Sequence, residues 1–305
     1  MNSELRRELT ADDGPLAGSV LTDVSPVGGG CIHQAWKLRL SNGQVLFAKS
    51  GGASALPLFE VEAEALEALH AHADSTLLVV PQPIALAALP HGVVLLLPWL
   101  DLHGSDQAAL GRGLALLHQS SMASNPARFG WHRDGFIGSG PQPGGWRDDW
   151  GSAFVELRLC PQLETMAGFD QDSADLNNLM LRLAEHLNGH EPRPALVHGD
   201  LWGGNASSLT DGRGSIFDPA SWWADPEVDL AMTQLFGGFG RSFRSGYREV
   251  LPDIPGSVDR IEIYNLYHLL NHANLFGGGY VRQCRASLQN LARHCLTYPP
   301  PNRLA

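Results

Sequence analysis

Asp200, Asn205 and Asp218 are the residues of this chain whose types and spacing could do chemistry. They lie in Val197-His-Gly-Asp-Leu-Trp-Gly-Gly-Asn205 and Ile216-Phe-Asp-Pro-Ala220, so an Asn follows the first Asp by five residues and a second Asp by eighteen. Phosphoryl transfer asks a protein for little covalent chemistry. It needs a carboxylate to orient and deprotonate a hydroxyl, and oxygen ligands for one or two Mg²⁺ ions. Asp200 is the candidate base; Asn205 and Asp218 are the candidate metal ligands. The competing explanation is that both Asp residues merely close turns, where Asp is common.

The elements that must carry these residues are short buried strands. Ala195-Leu196-Val197 is an apolar run that ends at His198-Gly199-Asp200, and Ser215-Ile216-Phe217 ends at Asp218. Pro219 lacks a donor and stops the second strand.

Upstream, Gly28, Gly29 and Gly30 form a glycine-rich turn whose backbone N–H groups could approach phosphate oxygens. A flexible hairpin is the plainer reading of three glycines. Gln44 to Lys49 is strand-like and ends on a lysine, which is costly there unless paired. Leu56 to Ala73 is rich in Ala, Leu and Glu and predicts a helix. Glu62 sits beside its apolar face and is the favoured partner for Lys49, with Glu60, Glu64 and Glu67 as competitors.

A hairpin is expected from Ile84 to Leu97 with its turn at His91-Gly92. We place a lobe boundary after it, giving residues 1–97 and 98–305. The Pro98 carbonyl and the Leu100 N–H could serve an adenine ring, or the segment could be a plain linker. Residues 124–150 read as a long loop held by Phe129, Trp131, Trp146 and Trp150, and long loops inside compact domains are usually functional or disordered. Helical patterns follow over 105–120, 147–165, 174–187, 226–236, 243–250, 258–274 and 281–296.

With 305 residues and 44% hydrophobic content, the chain can bury a sizeable core. A net charge of −11 argues against nucleic acid or an anionic membrane as partner. The start resembles no signal peptide and no apolar stretch spans a bilayer, so a soluble cytoplasmic enzyme is expected. Four cysteines without Cys-x-x-Cys spacing indicate neither zinc nor a disulfide framework. The close pairs His70/His72 and His186/His190 read as solvated surface histidines.

Taken together, His198-Gly-Asp-Leu-Trp-Gly-Gly-Asn205, Phe217-Asp-Pro-Ala220, Asp225-x-Glu227-x-Asp229, Leu235-Phe-Gly-Gly-Phe239 and the run from Tyr267 to Tyr280 resemble the fructosamine kinase (ketosamine 3-kinase) family. Ile137-Gly-Ser-Gly-Pro-Gln142 with Trp146 and Arg158 is similar to that family's substrate-side insertion. The resemblance implies a bilobal α+β protein-kinase-like fold, with an antiparallel-sheet N-lobe and a larger helical C-lobe. It implies ATP-dependent, Mg²⁺-assisted phosphorylation of the 3-hydroxyl of a ketosamine, free or on a glycated protein, as a deglycation repair. Another hydroxyl, such as that of an aminoglycoside or amino sugar, is the alternative. In that frame Lys49 and Glu62 anchor phosphate, Asp200 is the base, Asn205 and Asp218 hold Mg²⁺, and Trp202 is a sugar platform or else a core residue. Asp229 supports the catalytic loop, and His268 and His272 make structural contacts. Cys31 in the glycine loop would be a redox switch linking a homodimer, or a small residue filling a turn, with a monomer as the other state.

Overall fold

The computed structural model describes residues 1–28, 34–104, 106–124, 127–166 and 173–297, side chains of 294–297 excepted. Gly29, Gly30 and Cys31 lie outside the described residues, and with them most of the glycine loop.

Five antiparallel strands form the first sheet, in the order Leu21–Val27, Gln34–Leu40, Val45–Gly51, Gly92–Pro98, Ala85–Leu89. Strand Val45–Gly51 alternates half-buried and buried residues, so Leu46 and Ala48 face one side while Lys49 faces the other. The first side is covered by the helix Ser3–Leu9, which the sequence reading missed, through Leu5 and Leu9. The second side receives the helix Leu56–His72, which buries Phe59, Ala65, Leu66 and Leu69. Each of its large apolar side chains contributes about 2 kcal/mol by leaving water.

That core continues without a break into the segments that carry Asp200 and Asp218. Phe59, Leu66 and Leu69 belong to the same apolar cluster as Leu114 and Leu117 of the helix Ala108–Ser124, and as Leu196, Leu201 and Ile216. The strand Gly214–Ile216 also pairs in parallel with Leu78–Val79 and antiparallel with Ala206–Ser208. The segment that ends at Asp218 is therefore held to Leu78–Val79 by backbone bonds as well as packing, and the one that ends at Asp200 joins the same apolar cluster through Leu196 and Leu201.

Helices Ala174–Asn188, Glu227–Leu235, Ser257–Phe276 and Gly279–Thr297 build the rest, around Trp150, Phe154, Trp222, Tyr264 and Tyr267. No helix among the described residues is long and apolar enough to cross a membrane.

The stretch read as a long loop is different. It holds four strands, Phe129–Trp131, Gly135–Ile137, Gly140–Gln142 and Gly145–Arg147. Three residues carry too little alternation to announce a strand. These exist because partners are in place: the outer two pair with each other, and Gly130 pairs with Trp223 of strand Trp222–Ala224. The resulting four-stranded sheet ends on Ala195–Val197. A π turn over Val155–Leu159 then joins Trp150–Phe154 to Cys160–Thr165. His190 also departs from expectation: its side chain is 3% exposed and lies 3.1 Å from Asp225.

Candidate active site

Strand Ala195–Val197 delivers His198, Gly199 and Asp200 at its end, as the apolar run predicts. The direction of the loop is set by a buried carboxylate. Asp229, in the first turn of Glu227–Leu235, accepts the His198 N–H at 2.7 Å, the Gly199 N–H at 2.9 Å and His118 Nε2–H at 3.2 Å. Tyr247 in turn donates its hydroxyl to His118 Nδ1 at 2.8 Å. Burial works against the Asp229 charge, but His118 and the backbone donors outweigh it and hold its carboxyl below the usual value.

Gly199 has φ +82°, and a Cβ there would stand 2.1 Å from the Ala220 carbonyl oxygen. Only glycine permits this crossing of the two segments. His198 ties them further. Its Nε2–H donates to Phe217 O at 2.9 Å, and its Nδ1 accepts the Asp200 N–H at 3.3 Å. Its backbone oxygen accepts the Ala220 N–H at 2.9 Å. Neither His198 nor His118 was assigned a role from sequence, since a histidine after a strand gives no sign of what it will bridge.

Asp200, Asn205 and Asp218 come together as their spacing suggests. Asn205 Nδ2 donates to Asp200 Oδ2 at 3.1 Å, to Asp200 O at 3.0 Å and to Asp218 O at 3.3 Å. With the amide nitrogen so occupied, the amide oxygen faces the other way. Asp218 holds φ +58°, a left-handed conformation that a short polar side chain tolerates at some cost. Burial first, and then the Asp218 charge, push the Asp200 carboxyl up to about 7. The Asn205 amide oxygen and the Asp218 carboxylate would supply an all-oxygen, net-negative donor set, a chemistry that fits a hard cation such as Mg²⁺.

Lys49 and Glu62 are brought together at 2.6 Å, with side chains 12% and 13% exposed. Lys49 also contacts Asp218 directly. Burial alone would lower the Lys49 ammonium; the Glu62 and Asp218 charges overcome it and raise the pKa. Burial raises the Glu62 carboxyl, opposed by Lys49. Glu64, a competitor in the sequence reading, instead meets His132 at 3.0 Å and Arg133 at 2.8 Å.

Trp202 is 38% exposed and is no core residue. Its ring lies over Gly204, where a Cβ would come within 2.2 Å of it. Gly203 meets Gly238 backbone to backbone, a Cβ on Gly238 standing 2.7 Å from the Gly203 Cα. Gln107 holds that second glycine turn, donating to Gly238 O and accepting the Gly240 N–H, each at 2.7 Å. Gly28 is a bend, and a Cβ there would meet nothing within 4 Å among the described residues. Pro98 ends its strand opposite Leu46, and Leu100 follows just beyond the strand, half-buried. His272 Nδ1–H donates to His268 O at 2.8 Å, and Asn274 bonds Gln162 and Thr165.

Residues 7–294 match the family model for fructosamine kinase. The "Probable ketoamine kinase" of Synechocystis sp. is 41% identical over 270 residues, covering 88% of this chain and 89% of the relative. The chloroplastic protein-ribulosamine 3-kinase of Oryza sativa subsp. indica is 39% identical, covering 85% and 76%. The crystal structure of a proposed fructosamine-3-kinase from Thermobifida fusca superposes with a TM-score of 0.78 at 29% identity, covering 97% and 98%. On the matched length and on these identities, the chain belongs to the fructosamine kinase family.

Proposed function

We propose that this chain is an ATP-dependent kinase that phosphorylates the 3-hydroxyl of a ketosamine, a ribulosamine or fructosamine adduct carried by a free amine or a protein. The observation that carries the reading is the meeting of Asp200, Asn205 and Asp218 beside the Lys49–Glu62 pair, in a chain of the fructosamine kinase family. The names of the ketoamine and ribulosamine kinase relatives supply the acceptor class.

Asp200 orients the acceptor hydroxyl and takes its proton as the oxygen attacks the γ-phosphorus. The bond from that phosphorus to the bridging oxygen breaks, and ADP leaves. Lys49, aimed by Glu62, exchanges Asp218 for phosphate oxygens. Asn205 and Asp218 would hold Mg²⁺, whose charge offsets that of the phosphates. Gly28, Gly29 and Gly30 offer backbone donors to the phosphates; the Pro98 carbonyl and Leu100 N–H face adenine at the lobe boundary, between 1–97 and 98–305. The exposed Trp202 ring suits the apolar C–H face of a sugar. Cys31 would be a redox-sensitive position, and the cytoplasm the compartment.

The test is turnover of Mg-ATP on ribulosyl-lysine, fructosyl-lysine and an aminoglycoside, with Asp200→Ala as control. Asp200-dependent phosphorylation of a ketosamine is expected. Turnover of the aminoglycoside alone would overturn the acceptor assignment.

A further inference from the structure

The segment 129–147 contains none of the catalytic residues, yet it touches the parts that must be aligned. Its outer strands extend the sheet that ends on Ala195–Val197. On one side His132 and Arg133 grip Glu64, two residues from Glu62 on the same helix. Gly135 lies against that helix as well, a Cβ there standing 3.2 Å from Val61. On the other side Gln142 donates Nε2–H to Ala220 O at 3.1 Å and accepts the Tyr267 hydroxyl at 3.0 Å. Arg158, fully buried, donates to Pro143 O at 2.9 Å and fixes the chain just beyond.

We propose that this segment is a strut that sets the Lys49–Glu62 pair and the Asp218 turn relative to each other, with Glu64 and Gln142 as positioning residues at its two ends. The proposal rests on the kinase reading above. Gln142 is 5% exposed, and both ends of its amide are used. A buried amide costs free energy that an apolar side chain would not, unless its bonds are made. The bond it makes goes to the carbonyl two residues after Asp218, whose left-handed backbone must be held from outside. Ala220 passes the constraint on through its N–H to His198 O. The Glu64 contacts are partly exposed and add little stability. Their effect is directional: they fix the helix rotation that aims Glu62 at Lys49.

The experiment compares Gln142→Leu, Glu64→Gln and the double variant. It reads affinity for a fluorescent ATP analogue with Mg²⁺, the Mg²⁺ concentration giving half-maximal turnover, and the melting temperature. Gln142→Leu is expected to raise the half-maximal Mg²⁺ about tenfold, and Glu64→Gln to weaken nucleotide binding about threefold. The double variant should lose less than the product of the two, because one rigid body links them. Tyr267→Phe, which removes a single hydroxyl, should shift the Mg²⁺ requirement in the same direction and serves if Gln142→Leu does not fold. Folded variants with unchanged Mg²⁺ and nucleotide requirements, or losses that multiply independently, would overturn the strut. Nucleotide binding needs no acceptor. A wild-type protein that binds Mg-ATP but phosphorylates no ketosamine would therefore sink the acceptor reading and leave the strut to its own result.

Discussion

Asp229 accepts the backbone N–H of His198 at 2.7 Å, so a buried carboxylate on one helix dictates the path of the loop that ends at Asp200. Removing it strands two backbone donors, at about 1–3 kcal/mol each. Asp229→Ala should lower the unfolding free energy by on the order of 3 kcal/mol and depress turnover with it. Urea denaturation checks this; a wild-type midpoint would rule the account out.

Asp200 and Asp229 respond to pH in opposite directions. The Asp200 carboxyl is pushed up to about 7. The fold therefore favours its neutral form, and that stability is complete below the ordinary Asp value and lost as pH rises through about 7. Asp229 is held low, so its stability is present above the ordinary value and lost as pH falls below it. Metal-free Asp200→Asn should thus melt higher than wild type at about pH 8, with the gap closing near pH 4, while turnover is abolished. Coincident melting at the higher pH would show that Asp200 carries no such strain.

Gly199→Ala should be tolerated poorly, since its Cβ would stand 2.1 Å from Ala220 O at a φ of +82°. A loss of roughly 3 kcal/mol or more is expected from clash and left-handed strain together. Gly212→Ala, also left-handed but facing open space, is the control and should cost about 1 kcal/mol. Equal losses would mean that the crossing of the two segments is looser than it is drawn.

Asp200→Ala should lose most turnover and keep nucleotide affinity, because base positioning acts mainly in the transition state. Asp218→Ala should lose Mg²⁺-dependent nucleotide binding as well. Calorimetric titration with Mg-ATP analogue separates the two, and equal mild effects would reverse the assignment of roles.

Much of the site was legible because its residues end apolar runs. Val197 and Ile216 announce strands, so Asp200 and Asp218 had to emerge at strand ends, and Glu62 could be chosen from the apolar face of its helix. The parts that were not legible are those fixed by distant partners. His198 reads as an ordinary residue until Phe217 O and Asp200 N–H are seen on either side of its ring. The strands of 129–147 are three residues long and exist through their partners, Phe129–Trp131 through Trp223 some 90 positions away and the others through one another. His190 reads as a surface residue because its partner, Asp225, lies 35 positions further along the chain.

The contact between Lys49 and Asp218 has a consequence for selection among cellular anions. Before nucleotide arrives, the lysine is already neutralised by two carboxylates, Glu62 and Asp218. Among the described residues, Lys49 offers inorganic phosphate or metal-free nucleotide no unpaired charge, and either must displace a carboxylate of its own sign. A complex that brings its own divalent ion would give Asp218 a new partner as it takes the lysine. On the roles proposed for Lys49 and Asp218, the resting site would admit an anion and a cation together, and an excess of chelator should convert ATP from a tight ligand into a weak one.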